Sequence, residues 1–234
     1  MFGPIFRRST IVDLDSRQAM TLAIESRLQS SHVLPLLARR LSLLPHPRVL
    51  DLGSVVGGNL QFFIDLGCKV TADDLLKPVE TVLSQTGALG TDWKGSSAKR
   101  LEYPDTSFDA VIAWDLFDFM PPAEAKPFAH DLLRVMKPGG IVLAYFTSRE
   151  TERREPHRRY RIQSQEKVEW ITVGAARTLR HVYKNRELEQ MFDGFKTHTA
   201  FVLMNGTREM LLEKRLPAAT PTITPLVTAV RTNR

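Results

Sequence analysis

Arg48-Val49-Leu50-Asp51-Leu52-Gly53-Ser54-Val55-Val56-Gly57-Gly58-Asn59 decides how this chain folds. The first residues read as a buried strand that ends in a carboxylate; a glycine-rich turn follows and leads into a helix. In an open α/β sheet such a turn places a small-molecule site at the carboxyl edge of the strands, where bare backbone can approach a ligand. The spacing is not Gly-x-Gly-x-x-Gly, because Val55 holds the second glycine position and an acid precedes the turn. Both features argue against an ordinary dinucleotide-phosphate cradle.

Upstream, Pro45-His46-Pro47 breaks a helix and feeds the strand at 48–52. The segment to residue 45 reads as helical. Asp15 or Ser16 caps a helix carrying Met20, Leu22, Ile24 and Leu28, and Ser30 or Ser31 caps another carrying Val33, Leu36, Leu37, Leu41 and Leu44. Downstream, Leu60, Phe63, Ile64 and Leu66 give residues 59–66 a buried helical stripe that Gly67 ends. A strand at 68–72 stops at Asp73-Asp74, a short helix is expected at 77–86, and a weakly marked strand at 92–98. Residues 108–114 form a clear strand ending at Asp115. Pro121-Pro122 then starts a helix burying Leu132, Leu133, Val135 and Met136, and Pro138-Gly139-Gly140 turns into a strand at 141–146. The alternation of strand and helix specifies a parallel α/β sheet with helices on both faces.

Residues 147–165 lose this periodicity and read as a charged insertion or lid. Strand-like residues 166–173 follow, then a helix at 185–192 and strands at 197–204 and 208–212. Asn205-Gly206 marks the turn of a hairpin between the last two. The tail at 216–234 lacks periodicity and is expected to be disordered. The organisation is therefore an N-terminal helical segment (1–45), one domain (46–215) and the tail.

The 234 residues and 43% hydrophobic content suit one domain with a real core. The single cysteine, Cys68, allows no internal disulfide and no zinc pattern; it reads as a small buried hydrophobe. No apolar stretch approaches bilayer length, and the start lacks a secretory profile, so a cytoplasmic protein without a transmembrane segment is expected. Residues 1–146 carry 15 Lys/Arg against 16 Asp/Glu, and residues 147–234 carry 17 against 10, so the net charge of +6 sits in the last third.

The motifs, taken in order, resemble the class I S-adenosylmethionine-dependent methyltransferase family. Val49-Leu50-Asp51-Leu52-Gly53 resembles its first motif, and Asp74 stands where its second strand ends. The stretch from Leu101 to Val111 is similar to the approach to its fourth strand, and Leu132-Leu133-Arg134-Val135-Met136-Lys137-Pro138-Gly139-Gly140 to the approach to its fifth. The resemblance implies a Rossmann-like, doubly wound, mostly parallel seven-stranded sheet with a C-terminal antiparallel hairpin. It implies S-adenosyl-L-methionine as cofactor. Asp51 would hold the cationic methionine end while Gly53, Ser54 and Gly57 form the turn beside it. Asp73 or Asp74 would accept the ribose hydroxyls, Ser97 and Ala98 would line the adenine loop, and Asp115 would lie near the methionyl group. Two departures stand out: Val55 replaces the usual second glycine, and Ser97 stands where many members carry an aspartate.

Methyl transfer from a sulfonium needs alignment of the acceptor and exclusion of water more than acid-base chemistry, and no residue is assigned a catalytic role. The arginines at 149, 153, 154, 158, 159 and 161 are interleaved with Glu150, Glu152 and Glu155, which favours internal ion pairing over an anion grip. A small-molecule acceptor is favoured over nucleic acid, because neither a stacking platform nor a base-amino motif is present. A non-catalytic binding module and, less favoured, an RNA methyltransferase using the basic last third are the alternatives. An oxidoreductase is disfavoured by the acid before the glycine turn.

Overall fold

The computed structural model describes residues 26–53, 56–75, 101–120, 122–148, 154–155, 158–172, 177–178 and 181–216. The elements begin with β1 (Ser26–Ser30), α1 (Leu34–Ser42), β2 (Arg48–Asp51), α2 (Gly57–Asp65) and β3 (Lys69–Ala72). There follow β4 (Phe108–Trp114), a 3-10 turn (Leu116–Phe119), α3 (Pro122–Val135) and β5 (Met136–Thr147). Then come the two-residue β6 (Arg154–Glu155), β7 (Arg158–Ser164), β8 (Lys167–Thr172) and the two-residue β9 (Arg177–Thr178). The chain closes with α4 (Asn185–Met191), β10 (Phe195–Val202) and β11 (Thr207–Lys214).

Among the described residues the main sheet has six strands in the order β10-β11-β5-β4-β2-β3. The pairs β2/β3, β2/β4 and β4/β5 are parallel; β5/β11 and β11/β10 are antiparallel. The sheet is thus mixed, and the strand expected at 92–98, which would bring the count to seven, lies outside the described residues. The helix expected at 77–86, the capped helix after Asp15, and the tail also lie outside them. β2 lies between β4 and β3 with Val49 and Leu50 fully buried, as a parallel strand covered on both faces must be.

The two faces are covered by different helices. On one, Leu34, Leu37 and Leu41 recur along α1 and pack with Val49, Phe63, Ile112 and Leu143; the Ser31 hydroxyl accepts the Leu34 N–H at 3.2 Å and starts the helix. On the other, Ala125, Phe128, Ala129 and Leu132 of α3 pack with Phe117, Phe146 and Phe192. Each large apolar side chain so buried contributes about 1.5–3 kcal/mol. Gly67, at φ +78°, closes α2 in the left-handed conformation that a helix end needs and that glycine adopts without strain. Arg134 staples residues 101–105 to α3: its guanidinium donates to the carbonyls of Leu101 and Tyr103 and to the carboxylates of Asp105 and Asp131.

Two segments differ from the sequence expectation. Residues 26–30, which fall in the segment read as helical, form β1 and pair antiparallel with β8. The insertion at 147–165 contains a true strand, β7, which pairs with β8 into a hairpin. Together β1, β8 and β7 make a second, three-stranded sheet. Its glue is partly cationic: Arg27 and Arg158 lie over the Trp170 ring at 5.6 and 4.7 Å, and Arg161 pairs with Glu169. Arg27, Arg158 and Arg161 are thus engaged within the fold by Trp170 and Glu169; Glu150 and Glu152, expected among the partners of the arginine series, lie outside the described residues.

Candidate functional site at the carboxyl edge

The parallel strands β2, β3 and β4 each end on an aspartate at the same edge. Asp51 closes β2, Asp73 and Asp74 follow β3, and Asp115 follows β4. The register fixes this convergence, with Asp51 opposite Ala72 on one side and Ile112 on the other. Asp51 is 2% exposed, and burial pushes its carboxyl up to about 6, a rise opposed by hydrogen bonds from Gly53, Trp114 and Asn59 and reinforced by Asp74. Asp73 and Asp74 are half-buried. The Asp73 amide donates to the Asp51 carbonyl at 2.8 Å, and its carboxylate accepts the Tyr103 hydroxyl at 3.1 Å.

Gly53 is buried under an indole. A Cβ there would lie 2.3 Å from Trp114 Cδ1, so no other residue fits while the ring is in place. Trp114 Nε1–H donates to Asp51 Oδ1 at 2.9 Å, and the Gly53 N–H reaches the same oxygen at 3.0 Å. Gly57 opens α2 and is exposed, with nothing within 4 Å of the place a Cβ would take. Ser54, Ser97 and Ala98 lie outside the described residues, as does Val55.

Asp115 is 6% exposed and accepts the Tyr160 hydroxyl at 3.0 Å. Tyr160, from β7, stacks on Trp114 with ring centroids 5.0 Å apart and planes 3° apart. Asn59, in the first turn of α2, holds this strand by its backbone: its amide donates to the Tyr160 carbonyl at 2.9 Å and accepts the Ile162 N–H at 2.8 Å. The space left among Leu52, Gly53, Trp114, Asp115 and Tyr160 is about 10 Å³.

Asp118, on the 3-10 turn, is 2% exposed. One oxygen accepts the Thr147 N–H at 2.7 Å, and the other has no hydrogen-bond partner among the described residues. Burial, and then Asp115, push it up to about 8. Tyr183, also buried, has a hydroxyl without a partner among the described residues and is pushed upward by burial and by Asp118. Sequence spacing alone assigns Asp118 no definite role and misses Asn59. A signal for Asn59 is present: it stands four residues before Phe63, on the buried face of α2, and a buried amide there requires partners.

An α/β sheet whose central strands deliver carboxylates and a glycine turn to one edge defines a class of small-ligand enzyme and binding folds. Residues 49–140 match a family described as Methyltransferase domain. Over 140 residues the chain is 30% identical to the 2-methyl-6-phytyl-1,4-hydroquinone methyltransferase of a Synechocystis species, a match covering 57% of this chain and 42% of that protein. The chain therefore spans less than half the length of that relative. Among solved structures, the PH0226 protein of Pyrococcus horikoshii is 21% identical with TM-score 0.49, covering 78% of this chain and 88% of its own. A SAM-dependent methyltransferase of Methanosarcina mazei is 17% identical with TM-score 0.46, covering 76% and 97%. Residues 49–140 are thus similar to a methyltransferase domain, the stretch that holds β2 to β4, α3 and the start of β5. No helix among the described residues is long and apolar enough to cross a membrane.

Proposed function

We propose that this protein binds S-adenosylmethionine at the carboxyl edge and transfers its methyl group to a small-molecule acceptor. The observation that carries the reading is the convergence of Asp51, Asp73, Asp74 and Asp115 at adjacent strand ends, beside a bare glycine turn. The chemistry of the donor set fits the cofactor. Asp73 and Asp74, half-buried, suit a ribose diol, and Asp51 suits a cationic group. The space at the methionine end does not fit in this conformation, because the Trp114 indole covers Gly53 and takes the Asp51 oxygen. The cofactor supplies an activated methyl carbon; the chain's own part is to orient the acceptor and exclude water. Tyr160 and the β7–β8 hairpin serve the second task, closing the edge down to about 10 Å³.

The acceptor reading rests on the absence of a nucleic-acid platform in the sequence and on the internal use of Arg27, Arg158 and Arg161. The Synechocystis relative acts, by its name, on a substituted hydroquinone, which makes phenolic small molecules the first acceptors to screen with labelled methyl donor. The cofactor test is calorimetric titration with S-adenosylhomocysteine. Binding is expected, weakened about tenfold to a hundredfold by the double change Asp73→Asn, Asp74→Asn, the worth of one or two hydrogen bonds to a charged group. No binding at millimolar concentration, in wild type and in Trp114→Ala alike, overturns the reading.

A further inference from the structure

The donors at the carboxyl edge suit the cofactor, while protein fills the place of its methionine end. Resting on the function proposed above, we infer that Trp114 is a displaceable plug of the cofactor site, seated by the β7–β8 hairpin through Tyr160.

The indole imitates what it displaces. Its N–H donates to Asp51 Oδ1 at 2.9 Å, satisfying the buried carboxylate with a neutral donor in place of a cation. Its ring lies against the bare face of Gly53, where even one added carbon would collide at 2.3 Å. The bareness that a ligand would use is thus used by a side chain.

The plug is held rather than relaxed. Trp114 has φ +46°, a left-handed backbone that bulky residues avoid, so the surrounding contacts must maintain it. Turning the backbone to an ordinary conformation carries the indole off Gly53. The main holding contact comes from the hairpin: Tyr160 lies parallel on the indole at 5.0 Å and anchors its own hydroxyl on Asp115. Tyr160 is in turn fixed by Asn59. The helix start that bears Asn59 also carries Gly57 and Gly58, and the Arg161 side chain lies 3.4 Å from the Cβ position of Gly58. A ligand entering along the glycine turn therefore meets Trp114 and the hairpin's mooring together. One binding event must move both, and the fraction of molecules with the plug out sets the apparent affinity.

The test pairs calorimetry with fluorine NMR. S-adenosylhomocysteine is titrated into wild type, Trp114→Ala and Asn59→Ala. Protein labelled with 5-fluorotryptophan carries three reporters, since the chain has 3 Trp, and Trp114→Phe assigns the resonance of residue 114. The expected result is binding tightened at least about tenfold in Trp114→Ala and by about threefold in Asn59→Ala, as the closed state loses its hold. In wild type the residue-114 resonance shifts on saturation. Equal or weaker binding by Trp114→Ala, or saturation of wild type with that resonance unmoved, overturns the plug and leaves the cofactor reading standing. Absence of binding by wild type and both variants overturns the cofactor reading, and the plug with it. If Trp114→Ala fails to fold, Asn59→Ala and the wild-type resonance decide.

Discussion

At the amino end of β4, Asp109 accepts the Arg48 N–H at 2.8 Å and the Lys137 ammonium at 2.7 Å. At the carboxyl end of the same strand, Asp115 and Asp118 are buried side by side with tyrosines and a tryptophan, and Asp118 keeps one oxygen without a hydrogen bond among the described residues. The same residue type serves opposite ends. Asp109 ties the start of β2 to the start of β5 and is satisfied by doing so. Asp51 and Asp118 are placed where burial penalises their charge, a cost that hydrogen bonds from Gly53, Trp114 and Thr147 only partly offset and that marks the edge as the working end.

Three substitutions test that contrast. The largest effect is expected for Asp118→Asn, which keeps an acceptor for Thr147. The Asp118 carboxyl is pushed up from 3.8 to about 8, so the folded state holds the proton more tightly than the unfolded one and wild-type stability falls as pH rises across that window. The variant lacks this fall. Its advantage in chemical denaturation should grow by roughly 3–5 kcal/mol between about pH 4 and pH 9, since each tenfold difference in proton affinity between the folded and unfolded chain is worth about 1.4 kcal/mol, less what relaxation around the charge recovers. A constant difference across pH would show that the buried charge costs nothing.

Asp51→Asn should behave with the same sign in a narrower window, from 3.8 to about 6, gaining roughly 2 kcal/mol by about pH 8. Asp109→Ala should have the opposite sign, losing about 1 kcal/mol as its ion pair and backbone contact go. That loss should shrink in high salt, because Lys137 is partly exposed. If Asp109→Ala were stabilising, the two ends of β4 would not differ in kind.

The elements that form the main sheet are legible because apolar runs there stop abruptly at an acid, a glycine or a proline. Residues 108–114 are bounded by Asp115, and α2 is stopped by Gly67. β7 is not legible: its buried face consists of Tyr160 and Ile162, set among arginines that mask a two-residue alternation. β1 has no apolar alternation at all. Its Leu28 is 56% exposed, and the strand forms because β8 offers it an edge. At the site, residue types point to the carboxylates and to Gly53, whose chemistry is local. The indole over Gly53 depends on a left-handed backbone at Trp114 and on a strand from far along the chain, neither of which sequence spacing encodes.

Asn59 has an implication for how this protein can change over time. It grips β7 only by main-chain atoms, the carbonyl of Tyr160 and the amide of Ile162. The outward side chains of the strand, Arg161 and Gln163 among them, take no part in that grip. Both reach Glu169 of β8 instead, so that surface cluster can be exchanged as a unit while the hairpin keeps its seat on main-chain atoms.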